Sequence, residues 1–207
     1  MMLKNFYWYY QGSLTDRFCD AVIKTAEKQN NNYGLVSEVT DNGAVKNFDQ
    51  LNEKSKKKLF KTRKSKITWL DEPWINNEIT NYVKEANQRA GWNFVINDVE
   101  HAQFTTYNLK EYYGWHSDTF SECFENGNMR KLSVTVSLTD PKEYKGGELE
   151  FDFRDSKPGV DSTRICSEIK PRGSIVVFSS FVWHRVKPVT KGTRQSLVMW
   201  YGGPNFV

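Results

Sequence analysis

Apolar residues recur at every fourth position through Leu14, Phe18, Val22 and Ala26, and at helical spacing through Ile75, Ile79, Tyr82, Val83, Ala86 and Ala90. On a 3.6-residue period each set falls on one face, so both stretches predict amphipathic helices. Ser13 or Thr15 can cap the first, which ends in Asn30-Asn31-Asn32-Tyr33-Gly34; the second opens on Pro73 and stops at Gly91. Residues 4–11 predict an opening strand and Ile67-Thr68-Trp69-Leu70 a short one. From Phe94 the texture changes to short runs punctuated by turns. The strands expected are 94–108, 112–118, 131–139, 147–153, 163–169, 174–179, 182–187 and 194–201. They are separated by Asn126-Gly127-Asn128, Gly146-Gly147, Pro158-Gly159, Pro171-Arg172-Gly173 and Lys191-Gly192. Many short strands at this spacing predict an antiparallel sandwich or barrel, of which the jelly roll is one type. The fold class is therefore mainly β with flanking α, with two N-terminal helices buttressing one sheet.

Size changes this picture little. A chain of 207 residues with 38% hydrophobic positions can bury one full core, so residues 1–207 are expected to form a single domain. Within it, 1–93 would supply helical and strand support and 94–203 the jelly-roll core. No run approaches the roughly 18 apolar residues that span a bilayer. The N-terminal residues lack the aliphatic core and cleavage site of a secretory signal. Three distant cysteines (Cys19, Cys123 and Cys166), with no CxxC pair, argue against a disulfide framework or zinc knuckle and fit a reducing cytoplasm.

A net charge of +4 is too mild to call for a nucleic-acid or membrane partner. The one dense charge block is Lys54, Lys56, Lys57, Lys58, Lys61, Arg63, Lys64 and Lys66. It reads either as a basic lip for an acidic peptide or nucleic acid, or, more simply, as a solvated helix face and loop.

The candidate chemistry centres on Tyr113-Gly-Trp-His116-Ser-Asp118. Residues two apart on a strand project from one face, so His116 and Asp118 could offer a nitrogen and an oxygen to one metal ion. His184, on a later strand, is a candidate third ligand. Two His and one carboxylate on one side of an ion leave open positions opposite, the arrangement of non-haem Fe(II) oxygenases. Arg194, on the next strand, can reach the same barrel mouth and hold a carboxylate through two parallel hydrogen bonds. His101 has no carboxylate two residues away and is read as structural.

Taken in order, Tyr107, Tyr113-Gly-Trp-His116-Ser-Asp118, Gly146-Gly-Glu-Leu-Glu-Phe151, Pro171-Arg-Gly and His184…Pro188-Val…Gly192-Thr-Arg194 resemble the 2-oxoglutarate- and Fe(II)-dependent oxygenases. The prolyl-hydroxylase branch, with its bacterial and phage members, is the most similar. The resemblance covers roughly residues 100–203, and Ile67-Thr-Trp-Leu-Asp upstream is compatible.

It implies a double-stranded β-helix with Fe(II) held by His116, Asp118 and His184, and 2-oxoglutarate and O2 as co-substrates, with ascorbate as an accessory reductant. Arg194 would pair with the distal carboxylate of 2-oxoglutarate. Tyr107 resembles the tyrosine lining the co-substrate pocket, and Tyr113 the one nearer the substrate mouth. Trp200 stands where the nucleic-acid demethylases of the superfamily usually carry a second arginine. Many prolyl hydroxylases use a tyrosine at the position of Ser137; here Ser137 or Thr135, or water, would take its place beside the carboxylate.

The expected partner is a peptide or protein containing proline, with nucleic acid disfavoured and no membrane association. The alternatives are an oxygenase acting on a free amino acid, a small metabolite or an alkylated nucleic acid, and a jelly-roll binding module without turnover. Segments 35–66 and 119–130 flank the expected mouth and are candidate lids.

Overall fold

The computed structural model describes residues 5–36, 47–119, 123–154 and 161–205. The chain opens with β1 (Tyr7–Tyr10), α1 (Asp16–Glu27) and the short β2 (Asn32–Tyr33). A helix α2 (Glu53–Thr62) runs into β3 (Arg63–Lys64) and β4 (Lys66–Leu70), and α3 (Pro73–Arg89) follows. The remaining strands are β5 (Asp98–Val99), β6 (Ala102–Tyr107), β7 (Tyr112–His116), β8 (Asn128–Ser137), β9 (Lys145–Gly146) and β10 (Leu149–Asp152). After them come β11 (Thr163–Ile165), β12 (Ile175–Ser179), β13 (Trp183–Val186), β14 (Val189–Lys191) and β15 (Arg194–Pro204).

Among the described residues every strand pair is antiparallel. An eight-stranded sheet runs β1-β12-β8-β15-β6-β4-β2, with β5 also joined to β15, and a five-stranded sheet runs β11-β10-β13-β7-β3. Alternation along β8 divides the interior. Leu132, Val134 and Val136 point to one side and join Leu197, Met199, Ile175 and Val177 in the main core. That core is closed by the apolar faces of α1 (Cys19, Val22, Ala26) and α3 (Ile75, Ile79, Val83, Ala86). Ser133, Thr135 and Ser137 point the other way, toward the smaller sheet, and are buried too. Phe151 of the smaller sheet meets Phe178 of the larger edge-on at 5.0 Å between ring centroids, so the two sheets pack face to face.

The two helices expected from periodicity are α1 and α3. Thr15 caps α1, its Oγ1 accepting from the Phe18 amide at 3.2 Å, and Pro73 occupies the first turn of α3. A third helix, α2, lies inside the lysine-rich run and packs its one buried residue, Leu59, with Val36, Leu51 and Tyr113. The N-terminal half does more than support the barrel. Its strands β1, β2 and β4 extend the larger sheet, and β3 forms an edge of the smaller one.

Several expected strands are shorter than the pattern implies. Residues 94–97 are not strand, Ser167–Ile169 form a 3-10 turn, and β7 ends at His116, two residues before Asp118. Of the two candidate lids, 37–46 and 120–122 lie outside the described residues. Among the described residues no helix is long and apolar enough to cross a membrane.

Candidate active site

His116 and His184 sit directly opposite each other on the paired strands β7 and β13. Their rings lie 4.1 Å apart between centroids. Asp118 reaches the same point by a different route. Past the end of β7 the chain bends, and the Asp118 and Thr119 amides both donate to the Ser180 carbonyl, at 2.9 and 3.2 Å. This docks the bend against the larger sheet. Ser133 Oγ then donates to Asp118 Oδ2 at 2.7 Å and fixes the carboxylate plane.

As a result Asp118 Oδ1 lies 3.6 Å from His116 Nε2, and Oδ2 lies 3.5 Å from His184 Nε2. One ligand atom from each of the three falls within 4.8 Å of the others. Each imidazole is oriented through its far nitrogen. His116 Nδ1 is 2.8 Å from the Gly114 carbonyl, and His184 Nδ1 is 3.0 Å from that of Val182. A carbonyl can only accept, so both Nδ1 atoms carry the proton and both Nε2 lone pairs point at the shared centre.

The electrostatics agree. Burial, reinforced by the neighbouring His184, lowers the His116 pKa to about 3, so the ring is a neutral donor near pH 7. Burial alone would raise the Asp118 carboxyl. The two imidazoles, Arg130 and the Ser133 hydroxyl outweigh it and hold the group down to about 2. Two neutral nitrogens and one carboxylate on one wall form a donor set that fits a divalent ion such as Fe(II) and leaves the opposite side open.

A cavity of about 420 Å³ opens on that side. Arg194, first residue of β15 and only 3% exposed, is among the residues that line it. Its Nη1 donates to Ser196 Oγ at 3.2 Å and its guanidinium stands 5.5 Å from the Tyr107 ring centre, with no acidic partner among the described residues. Tyr107 is the cross-strand neighbour of Arg194. Gly147 makes room for the arginine stem: at its φ of +67° a Cβ would lie 2.9 Å from Arg194 Cδ.

Tyr113 stacks flat on His116 at 3.6 Å. Thr135 lines the cavity, whereas Ser137 lies opposite Ser196 on the neighbouring strand and is not part of the wall. Trp200 lines it near Trp69, with the Arg130 guanidinium 3.9 Å above its ring, and Arg130 is itself held by Glu100 through two hydrogen bonds of 2.5 Å. His101 stands apart, exposed and 3.6 Å from Asp71.

Two functional neighbours escaped the sequence reading. Ser133 carried a weak signal, as one of the small polar residues alternating along β8. Arg63 was submerged in the lysine block, and nothing in the sequence separated it; in the fold it is 5% exposed and lines the cavity.

A double-stranded β-helix with two imidazoles and one carboxylate converging on an open cavity is the framework of a mononuclear non-haem metal enzyme. Residues 102–202, which contain the whole triad and Arg194, match the family model of the 2OG-Fe(II) oxygenase superfamily. The fold and the three-residue site agree with that match.

Among curated relatives, the PKHD-type hydroxylase YbiX of Escherichia coli is 38% identical over 100 residues, which cover 47% of this chain and 40% of that protein. A PKHD-type hydroxylase of Idiomarina loihiensis is 34% identical over 94 residues, 45% of this chain and 38% of that one. The matched segment is thus well under half of either relative. Among solved structures, a viral collagen prolyl hydroxylase from Paramecium bursaria Chlorella virus-1 superposes with a TM-score of 0.60 at 21% identity, over 96% of this chain and 97% of that one. A prolyl hydroxylase from Trichoplax adhaerens, solved with a hypoxia-inducible-factor peptide, gives 0.66 at 17% identity, over 95% and 83%. These two share the fold.

Proposed function

We propose that this protein is an Fe(II)- and 2-oxoglutarate-dependent dioxygenase that hydroxylates a C–H bond, with a prolyl residue in a peptide or protein as substrate. One observation carries the reading: the His116–Asp118–His184 cluster lines the same cavity as Arg194, a buried cation with no acidic partner among the described residues. A molecule with a carboxylate at each end answers both features. Bound Fe(II) supplies the redox chemistry that couples decarboxylation of 2-oxoglutarate, to succinate and CO2, with insertion of one oxygen atom from O2 into the substrate.

The chain's own part is positioning. His116 and His184 present neutral nitrogens, fixed by their Nδ1 hydrogen bonds, and Asp118 presents an anion held by Ser133. Arg194 takes the distal carboxylate, with the Ser196 hydroxyl beside it and Tyr107 as a wall. Thr135 stands on the same wall, while Ser137 would act only through a small displacement or a bridging water. Tyr113 braces His116, and Trp200 lines the same cavity. The prolyl assignment draws on the PKHD-type relatives and on structural neighbours solved as prolyl hydroxylases. A cytoplasmic setting is supported by three cysteines that form no disulfide.

The test is succinate release together with a gain of about 16 Da, one oxygen atom, on proline peptides. Wild type is expected to yield both, and His116→Ala or Asp118→Ala neither. Either variant turning over at the wild-type rate would remove the triad from the reaction. A mass gain confined to methylated oligonucleotides or to free amino acids would reassign the substrate.

A further inference from the structure

The cavity holds more positive charge than the reaction just described uses. Among its described lining residues the only acid is Asp118, against three guanidinium groups, Arg63, Arg130 and Arg194. Arg130 is neutralised by Glu100, and Arg194 is the group that answers 2-oxoglutarate. Arg63 is left over. It is 5% exposed, it donates from Nε to Ser65 Oγ at 2.8 Å, and its guanidinium lies 4.6 Å from the centre of the Tyr113 ring. Its Nη2 is buried without a hydrogen-bond partner. A desolvated guanidinium with spare donors and no counter-ion among the described residues is costly to maintain, which is the mark of a group kept for an anion that arrives.

Two further features belong with it. Gly34 packs against this arginine so closely that a Cβ there would lie within 2.8 Å of Nε, Cζ and Nη1. The side chain is therefore seated by a residue that leaves it just enough room. The helix leading to Arg63 also carries an exposed row of Lys54, Lys57, Lys58 and Lys61, spaced to share one face. Like charges at three and four residues repel along a helix, so the row is not there for helix stability. It ends one residue before Thr62, which lines the cavity beside Arg63.

We infer that Arg63 is a substrate-anion subsite: the substrate is an acidic protein segment, one carboxylate of which pairs with Arg63 while its flanking acids lie along the α2 lysines. This deepens the proposed function and rests on it. It names the chemistry next to the reacting residue, and it assigns the basic helix a guiding role that depends on salt.

The probes are two fluorescent peptides of the same length with a central proline, one flanked by Asp and Glu and the other by Asn and Gln. Anisotropy is read anaerobically on the Fe(II)- and 2-oxoglutarate-loaded protein. Wild type is expected to bind the acidic peptide about tenfold or more tightly than its amide twin, the size of one charge-assisted pair. The preference should shrink as salt rises. Arg63→Gln should bring the two peptides to near equality, as should Gly34→Ala, which displaces the guanidinium while keeping its charge. Lys57→Glu with Lys61→Glu, both exposed, should weaken only the acidic peptide; this pair carries the test if Arg63→Gln does not fold.

Equal binding of both peptides by wild type would overturn the inference, as would an undiminished preference in folded Arg63→Gln. So would a loss of 2-oxoglutarate affinity in Arg63→Gln as large as in Arg194→Ala, since Arg63 would then serve the co-substrate. Tighter binding of a single-stranded oligonucleotide through the same lysines would overturn it too. Mass spectrometry of the same peptides separates the two levels. Hydroxylation indifferent to flanking charge keeps the prolyl reading and removes the subsite. Arg63-dependent acidic binding without any mass gain keeps the subsite and removes the prolyl reading.

Discussion

His116 and Asp118 are two residues apart, yet the reason they meet is not the one their spacing offers. Strand alternation predicts a shared face, but β7 stops at His116, and Asp118 is brought in by a bend tied to the Ser180 carbonyl and the Ser133 hydroxyl. The pair was legible in the sequence; the device holding it was not, because its anchors lie 15 and more positions away. At this scale Ser133 is the residue to change. Ser133→Ala removes the donor that fixes the carboxylate and should weaken Fe(II) binding by about 10- to 100-fold, the usual cost of losing such a support. Fold stability should change less, because the cavity left by one hydroxyl is small. Metal affinity equal to wild type would mean the Ser180 tether alone orients Asp118. Arg63 is the opposite case: its type was visible, its burial was not, since only the packing of Gly34 and Tyr113 around it sets it apart from seven neighbouring lysines.

Elements whose periodicity matched their burial were read closely: α1, α3 and the alternating β8 and β15 follow their apolar positions. The lysine-rich run was legible as a solvated helix face but not in its bounds: the ten residues of α2 include one buried side chain, Leu59, and so present almost no apolar stripe. It forms because Asn52 Oδ1 caps it at the Ser55 amide and because it docks beside β7, which are a local signal and a tertiary one. The Gly146-Gly147 turn was legible as a turn but not as part of the site. Both glycines have positive φ, and Gly147 faces the Arg194 stem. Gly147→Ala should therefore cost about 1–2 kcal/mol in denaturant unfolding, the penalty of a left-handed L-residue, and should also weaken 2-oxoglutarate binding. A stability loss with unchanged 2-oxoglutarate affinity would separate the turn from the arginine it faces.

Across the whole molecule, two sheets divide the labour. The larger is sealed on its outer face by α1 and α3, giving a rigid wall; its inner face supplies Ser133, Thr135 and Arg194, while the smaller sheet supplies both histidines. Arg172 ties helix to barrel, donating to the Leu138 carbonyl at 2.7 Å and pairing with Asp16 and Asp20 of α1. Burial also sorts the thiols. Cys166 is pushed up to about 12 by burial, with Glu168 adding to it, and Cys19 is raised by burial, whereas Cys123 is exposed. Raising a thiol pKa keeps it protonated and unreactive at pH 8, so a disulfide reagent should titrate one thiol quickly in the native protein and three after denaturation. Two or three fast thiols at pH 8 would contradict the packing of Cys19 and Cys166.

On the proposed function, one ferrous ion is gripped by His116, Asp118 and His184 with half of its surroundings left open. Anaerobic calorimetric titration of the metal-free protein with Fe(II) tests it most directly. Wild type is expected to bind one equivalent, and both Asp118→Ala and His184→Ala, each shown to be folded by circular dichroism, to lose that binding. Wild type that takes up no Fe(II), or folded variants that bind it as tightly as wild type, would contradict it.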